Sequence, residues 1–124
     1  MLRFRQGASK EQLDALERRL RGPIPGDLRA LLLESDGFYD VEGRWEVAWS
    51  CDRIAEETER LRAEGLVGED VLCFGDDGTG DPFCISHQDG GPVCHLYPIT
   101  VEMTVLADSL LAFWDGWLRG EIST

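Results

Sequence analysis

The sequence predicts an α+β fold in which a mainly antiparallel sheet of about four to six strands is flanked by an N-terminal helix pair, a middle helix and a C-terminal amphipathic helix. Three observations predict it. The apolar periodicity runs helix, helix, strand, helix, several strands, helix, without the βαβ alternation that builds parallel sheets. Short strand-like runs at 71–74, 83–86 and 93–97 are separated by Gly- and Asp-rich turns of hairpin length. The chain has 124 residues, 43% of them hydrophobic, with four Trp and five Phe. That is the size of one domain, 1–124, with enough core to fold without a disulfide or a metal.

Each element has its own local reason. Ser9 and Gln12 have the spacing of a capping box, and Leu13, Leu16 and Leu20 recur at helical intervals until Gly22-Pro23. Pro25 suits the first turn of a second helix, whose stripe is Leu28, Leu31 and Leu32 and whose exit is Asp36-Gly37. Residues 38–49 read as one strand broken by Gly43, with Trp45, Val47 and Trp49 on one face. Ser50 caps a third helix, sparse in apolar residues at Cys51, Ile54, Ala55 and Leu61, with Glu56 and Arg60 spaced to pair and Gly65 at its end. That helix is expected at the surface. The meander of 71–74, 83–86 and 93–97 continues into 101–107, where Val101, Met103 and Val105 alternate with polar neighbours. Asp108 or Ser109 caps the last helix, with Leu110, Leu111, Trp114, Trp117 and Leu118 on one face.

Charge narrows the function. The 12 basic and 24 acidic side chains leave a net −12, spread unevenly. Residues 1–63 carry 11 bases and 13 acids, a net of −2, whereas 64–124 carry one base, Arg119, and 11 acids, a net of −10. Such a field repels phosphate backbones and anionic lipid, so nucleic acid and membrane surfaces are excluded as direct partners and a basic protein is favoured. Acidity also keeps proteins soluble, which is the plainer account of it. No apolar run reaches the length of a membrane span, and residues 1–5 lack a signal-peptide core. The four cysteines, Cys51, Cys73, Cys84 and Cys94, sit mostly in apolar stretches as small hydrophobes. A cytoplasmic, reducing compartment is expected.

No constellation of catalytic residues stands out. The Gly-rich segment 75–81 lacks a Lys and holds three carboxylates, which rules out a phosphate cradle. As an EF-hand it fails at Pro82, where Gly is needed, and at Gln88, where a bidentate Glu belongs. Cys94 and His95 are adjacent on a strand and point to opposite faces, so a thiol–imidazole dyad would need His87 instead. Intervals of ten and nine residues between the later cysteines lack the short pairs of zinc sites. No metal, cofactor or enzymatic activity is expected. The simplest role of 75–81 is a strand connection whose glycines supply positive φ and whose aspartates bond nearby amides.

Three stretches together resemble the SUKH superfamily, in particular the branch named for a fungal regulator of cell-wall assembly. They are the paired helices with Pro25, Leu28, Leu32 and Asp36-Gly37; the run Phe74-Gly75-Asp76-Asp77-Gly78-Thr79-Gly80-Asp81 into Phe83-Cys84-Ile85; and Gly91-Pro92-Val93. The chain departs from the usual pattern at Cys94-His95-Leu96 and at Pro82. The resemblance implies an antiparallel sheet flanked by helices, no catalytic residues, and a bacterial immunity-type protein that binds and neutralises a cognate toxin, often a nuclease. Regulatory scaffolds that bind an endogenous protein belong to the same superfamily and are the alternative. On the immunity reading, carboxylates of Glu69, Asp70, Asp76, Asp77, Asp81 and Asp89 steer and pair with a basic toxin, while Tyr39 or Trp45 adds buried contact area. The exposure of Asp76, Asp77 and Asp81 is part of that expectation.

Overall fold

The computed structural model describes residues 3–4, 6–39, 46–88 and 91–118. Its elements, in chain order, are β1 (Arg3–Phe4), α1 (Lys10–Leu20), α2 (Gly26–Glu34), β2 (Phe38–Tyr39), β3 (Glu46–Ala48), α3 (Cys51–Ala63), β4 (Val71–Asp76), β5 (Pro82–Ser86), β6 (Val93–Tyr97), β7 (Glu102–Ala107) and α4 (Leu110–Leu118). The strands form one seven-stranded sheet whose spatial order is the chain order, β1 to β7, with every neighbouring pair antiparallel. The α+β meander holds. The strand count exceeds the predicted range, because a two-residue β1 is too short to show a period and because 38–49 is a pair of antiparallel strands rather than one.

The helices form where their caps and stripes dictate. At α1 the capping box is complete: Gln12 N–H donates to Ser9 Oγ at 3.1 Å, and Ser9 N–H to Gln12 Oε1 at 2.7 Å. It ends at Arg21, a non-glycine residue with φ 61, before the Gly22-Pro23 stop. Pro25 stands one place earlier than expected, as the N-cap of α2. Ser50 caps α3 by accepting from Arg53 N–H. This helix is not merely superficial: it packs against α1 and β4, with Ile54, Ala55, Thr58 and Leu61 buried. Arg60 pairs with Glu57 and Glu64 at 3.2 and 3.0 Å, not with Glu56.

Leu13, Leu16 and Leu20 of α1, Leu28 and Leu32 of α2, and Ile54 and Leu61 of α3 meet Leu72, Phe74, Phe83, Ile85, Val93 and Leu96 of the sheet in one apolar core. Burying a side chain of this size stabilises by about 1.5–3 kcal/mol. The last helix closes the core, but with a shifted stripe. Leu110 and Phe113 are buried and Trp114 half-buried, whereas Leu111 is 66% exposed. Phe113 lies 5.9 Å from Phe74 and 4.9 Å from Phe83 between ring centroids, edge to face, as aromatic quadrupoles prefer. No helix among the described residues is long and apolar enough to cross a membrane.

Candidate functional site

The loop between β4 and β5 is where sequence reasoning placed the binding carboxylates, and the structure turns two of them inward. Gly75 sets the approach. A Cβ there would lie 2.0 Å from the carbonyl oxygen of Val47, so only glycine lets β4 run this close to β3. Gly78 and Gly80 then take φ of 89° and 98°, turning the chain back into β5.

Asp76 is 7% exposed, with Oδ1 accepting from Gly78 N–H at 2.9 Å and Oδ2 lying 3.5 Å from the guanidinium of Arg53. Burial pushes its carboxyl above the ordinary range, against the lowering influence of the Gly78 amide and Arg53. The side chain of Asp77 is 3% exposed. Its Oδ1 accepts from Thr79 N–H at 2.8 Å and Thr79 Oγ1 at 2.6 Å, and its Oδ2 lies 2.9 Å from Nε2 of His95. Burial alone would raise this carboxyl too, yet the two Thr79 donors and His95 outweigh it and hold it below the ordinary value. The expected exposure of Asp76 and Asp77 is therefore corrected: each is enclosed because the turn supplies amide and side-chain donors that replace water.

Asp81 is half-buried, short of the full exposure expected for it. With Tyr97, Pro98, Ile99, Thr100 and Glu102 it lines a surface cleft of about 390 Å³. Ligand atoms of Asp77, Asp81 and His95 lie within 4.8 Å of one another. Two of those three donors already bond each other, so the arrangement is a hydrogen-bonded turn anchor.

Elsewhere the predicted residues scatter. Glu69 and Asp70 are exposed just before β4, with the Glu69 carboxylate 3.6 Å from Arg62. Tyr39 is half-buried on β2, opposite Arg3. Trp45 and Asp89 lie outside the described residues. Cys51, Cys73 and Cys84 are buried, and burial pushes the Cys51 thiol up to about 12. His87 is no partner for a thiol. Its Nδ1–H donates to Pro23 O at 2.8 Å, and its Nε2 accepts from Arg62 at 2.9 Å.

Arg62 escaped the sequence reading. Its guanidinium also donates to the carbonyls of Leu20, Glu69 and Val71, tying α1, α3 and the start of β4 together. The signal was present: Arg62 falls beside Leu61 and one turn beyond Thr58 on the buried stripe of α3. His95 was readable only in part, since alternation put it on the face opposite Cys94 but could not bring Asp77 to it.

The ion pairs show how charge is divided. In the first half, Arg29 meets Asp14 and Glu17, Arg19 meets Glu59, and Arg60 meets Glu57 and, just across the divide, Glu64. Between 64 and 118 the sequence has no Lys or Arg at all. Asp76 and Glu69 reach back to α3 for theirs.

The profile of the SMI1 / KNR4 family (SUKH-1) matches residues 7–116. A search of curated proteins found no match.

Proposed function

Since the chain belongs to the SMI1 / KNR4 family (SUKH-1), among whose relatives are immunity-type proteins that bind protein partners, we propose that it binds and neutralises a cognate basic toxin of the bacterium that makes it. It does so in the cytoplasm and without turnover. One observation carries the basic partner: the stretch 64–118 holds ten carboxylates and no Lys or Arg of its own. Apart from Glu64, Glu69, Asp76 and Asp77, whose partners are described above, its acidic side chains include exposed carboxylates at Asp70 and Glu102 and the half-buried Asp81. A cationic toxin surface supplies the missing charges, and long-range attraction speeds the encounter.

On this reading Glu69, Asp70 and Asp81 steer the toxin, together with Asp89, while Tyr39, toward the other end of the sheet, and Trp45 add contact area. Asp76 and Asp77 act indirectly, by holding the loop that presents Asp81. The test is binding of the purified chain to the basic toxin domain encoded beside its gene, followed by surface plasmon resonance from low to moderate salt. The association rate is expected to fall steeply with salt, and further in a Glu69→Gln, Asp70→Asn, Asp81→Asn variant, with dissociation changing less. A salt-insensitive rate would remove electrostatic steering. Capture of a housekeeping protein in place of a toxin would instead make the chain a regulatory scaffold.

A further inference from the structure

The last strand departs from what its sequence pattern leads one to expect. In β7 the residues from Glu102 to Val105 are exposed on both faces, including Met103 at 44% and Val105 at 58%. Just before it, Ile99 is 99% exposed and Val101 is 55% exposed. Four large apolar side chains thus stand in water along one edge, whereas a lone exposed one would need no account. The same turn is strained. Val101 has φ 56, a left-handed conformation that a β-branched residue adopts only under constraint, here beside a bond from its N–H to Tyr97 O at 2.8 Å.

Strand order makes β7 the end of the sheet, and among the described residues nothing pairs with its outer edge. An unpaired edge offers a row of amides and carbonyls to an added strand. Its two faces differ in chemistry. On one, Met103 lines an apolar groove of about 120 Å³ with Val71, Cys84, Pro92 and Cys94, and Val105 stands opposite Cys94 in the ladder. On the other, Glu102 borders the cleft of about 390 Å³, where Asp81 and Tyr97 offer a carboxylate and an aromatic ring. Carboxylates beside a ring suit a guanidinium, which pairs with the first and stacks on the second. A second copy of this chain would bring another −12 to the same place.

We propose that the outer edge of β7 docks an extended segment of a basic partner protein, in which cationic and apolar side chains alternate. Paired antiparallel to β7, such a segment sets its apolar residues beside Met103 and Val105 and its cations beside Glu102 and the Asp81 cleft, because directly opposed residues share a face. The inference rests on the basic-partner reading above and names where that partner sits.

The test uses the full chain and a synthetic nine-residue peptide of alternating Arg and Val, followed by fluorescence anisotropy near physiological salt and by amide exchange. Wild type is expected to bind it, with new protection in Glu102–Ala107. The Met103→Ser, Val105→Ser variant, unchanged in charge and altered only at exposed positions, is expected to lose about tenfold or more in affinity. So is a peptide with Pro at its centre, and so is the Asp81→Asn, Glu102→Gln variant. No binding, binding by the Ser variant within about twofold, or equal binding of the Pro peptide would overturn the docking edge. Dimerisation of wild type abolished by the Ser substitutions would give the edge to a second copy and overturn the basic occupant. A chain that neutralises its toxin yet ignores the peptide would defeat the edge alone, and one that binds the peptide but no toxin would defeat the toxin reading alone.

Discussion

Asp76 and Asp77 are neighbours that answer pH in opposite directions. Asp77 is held below the ordinary carboxyl value, so it adds stability that is complete above about pH 4 and is lost as pH falls through its lower folded value. Asp76 is held above that value by burial, so its ionised form opposes folding and the opposition is relieved as pH falls through the raised value. Replacing Asp77 with Asn is expected to cost about 2 kcal/mol at neutral pH, the scale of hydrogen bonds to a charged acceptor. The gap to wild type should narrow toward about pH 3, whereas the gap between wild type and Asp76→Asn should move in wild type's favour over the same range. Urea midpoints at both pH values check this, and parallel behaviour of the two variants would contradict the assignment. None of it was legible in the sequence. Two adjacent aspartates in a Gly-rich turn look alike until a strand from elsewhere delivers His95 to one and a helix delivers Arg53 to the other.

Elements were the most legible level, because caps and apolar stripes are local. Ser9 with Gln12, Ser50, and the period of Leu13, Leu16 and Leu20 fixed α1 and α3 almost to the residue. Failures occurred where a neighbour decided the outcome. Leu111 and Phe113 both lie near the apolar face of α4, and only the position of Phe74 and Phe83 selects the second. Arg62 gives the largest effect expected at this scale. Arg62→Met keeps the length of the side chain but removes bonds to three carbonyls and His87, and it is expected to cost about 3 kcal/mol or more, seen as a lower denaturant midpoint. The β6–β7 turn predicts the reverse sign. Val101→Gly releases a left-handed valine at some cost in chain entropy, and a net gain of about 0.5–1 kcal/mol is expected in thermal unfolding. Loss of stability there would mean that the Val101 side chain packs more than its exposure indicates.

Over the whole molecule the uneven charge has a price in stability as well as a use in recognition. Carboxylates of the second half repel one another, and dissolved ions weaken that repulsion. Raising NaCl from roughly 20 mM to roughly 500 mM is therefore expected to raise the melting temperature by about 3 °C or more, while slowing association with a basic partner. A lower melting temperature in salt would show that the ion pairs around Arg29, Arg19 and Arg60 outweigh the repulsion. This division of charge was visible in the sequence by counting alone, as was the meander. The location of the apolar edge was not, since the alternation of Val101, Met103 and Val105 is the same for a strand that is covered and for one that is bare. The order of the strands has a further consequence. Because position in the sheet repeats position in the chain, each strand finds its earlier neighbour already synthesised, and none must wait for a later one to complete its first ladder. The sheet can be laid down as the ribosome delivers it, at about 5–20 residues per second. Among the described residues, the edge that comes last in that sequence of assembly is one that no further strand covers.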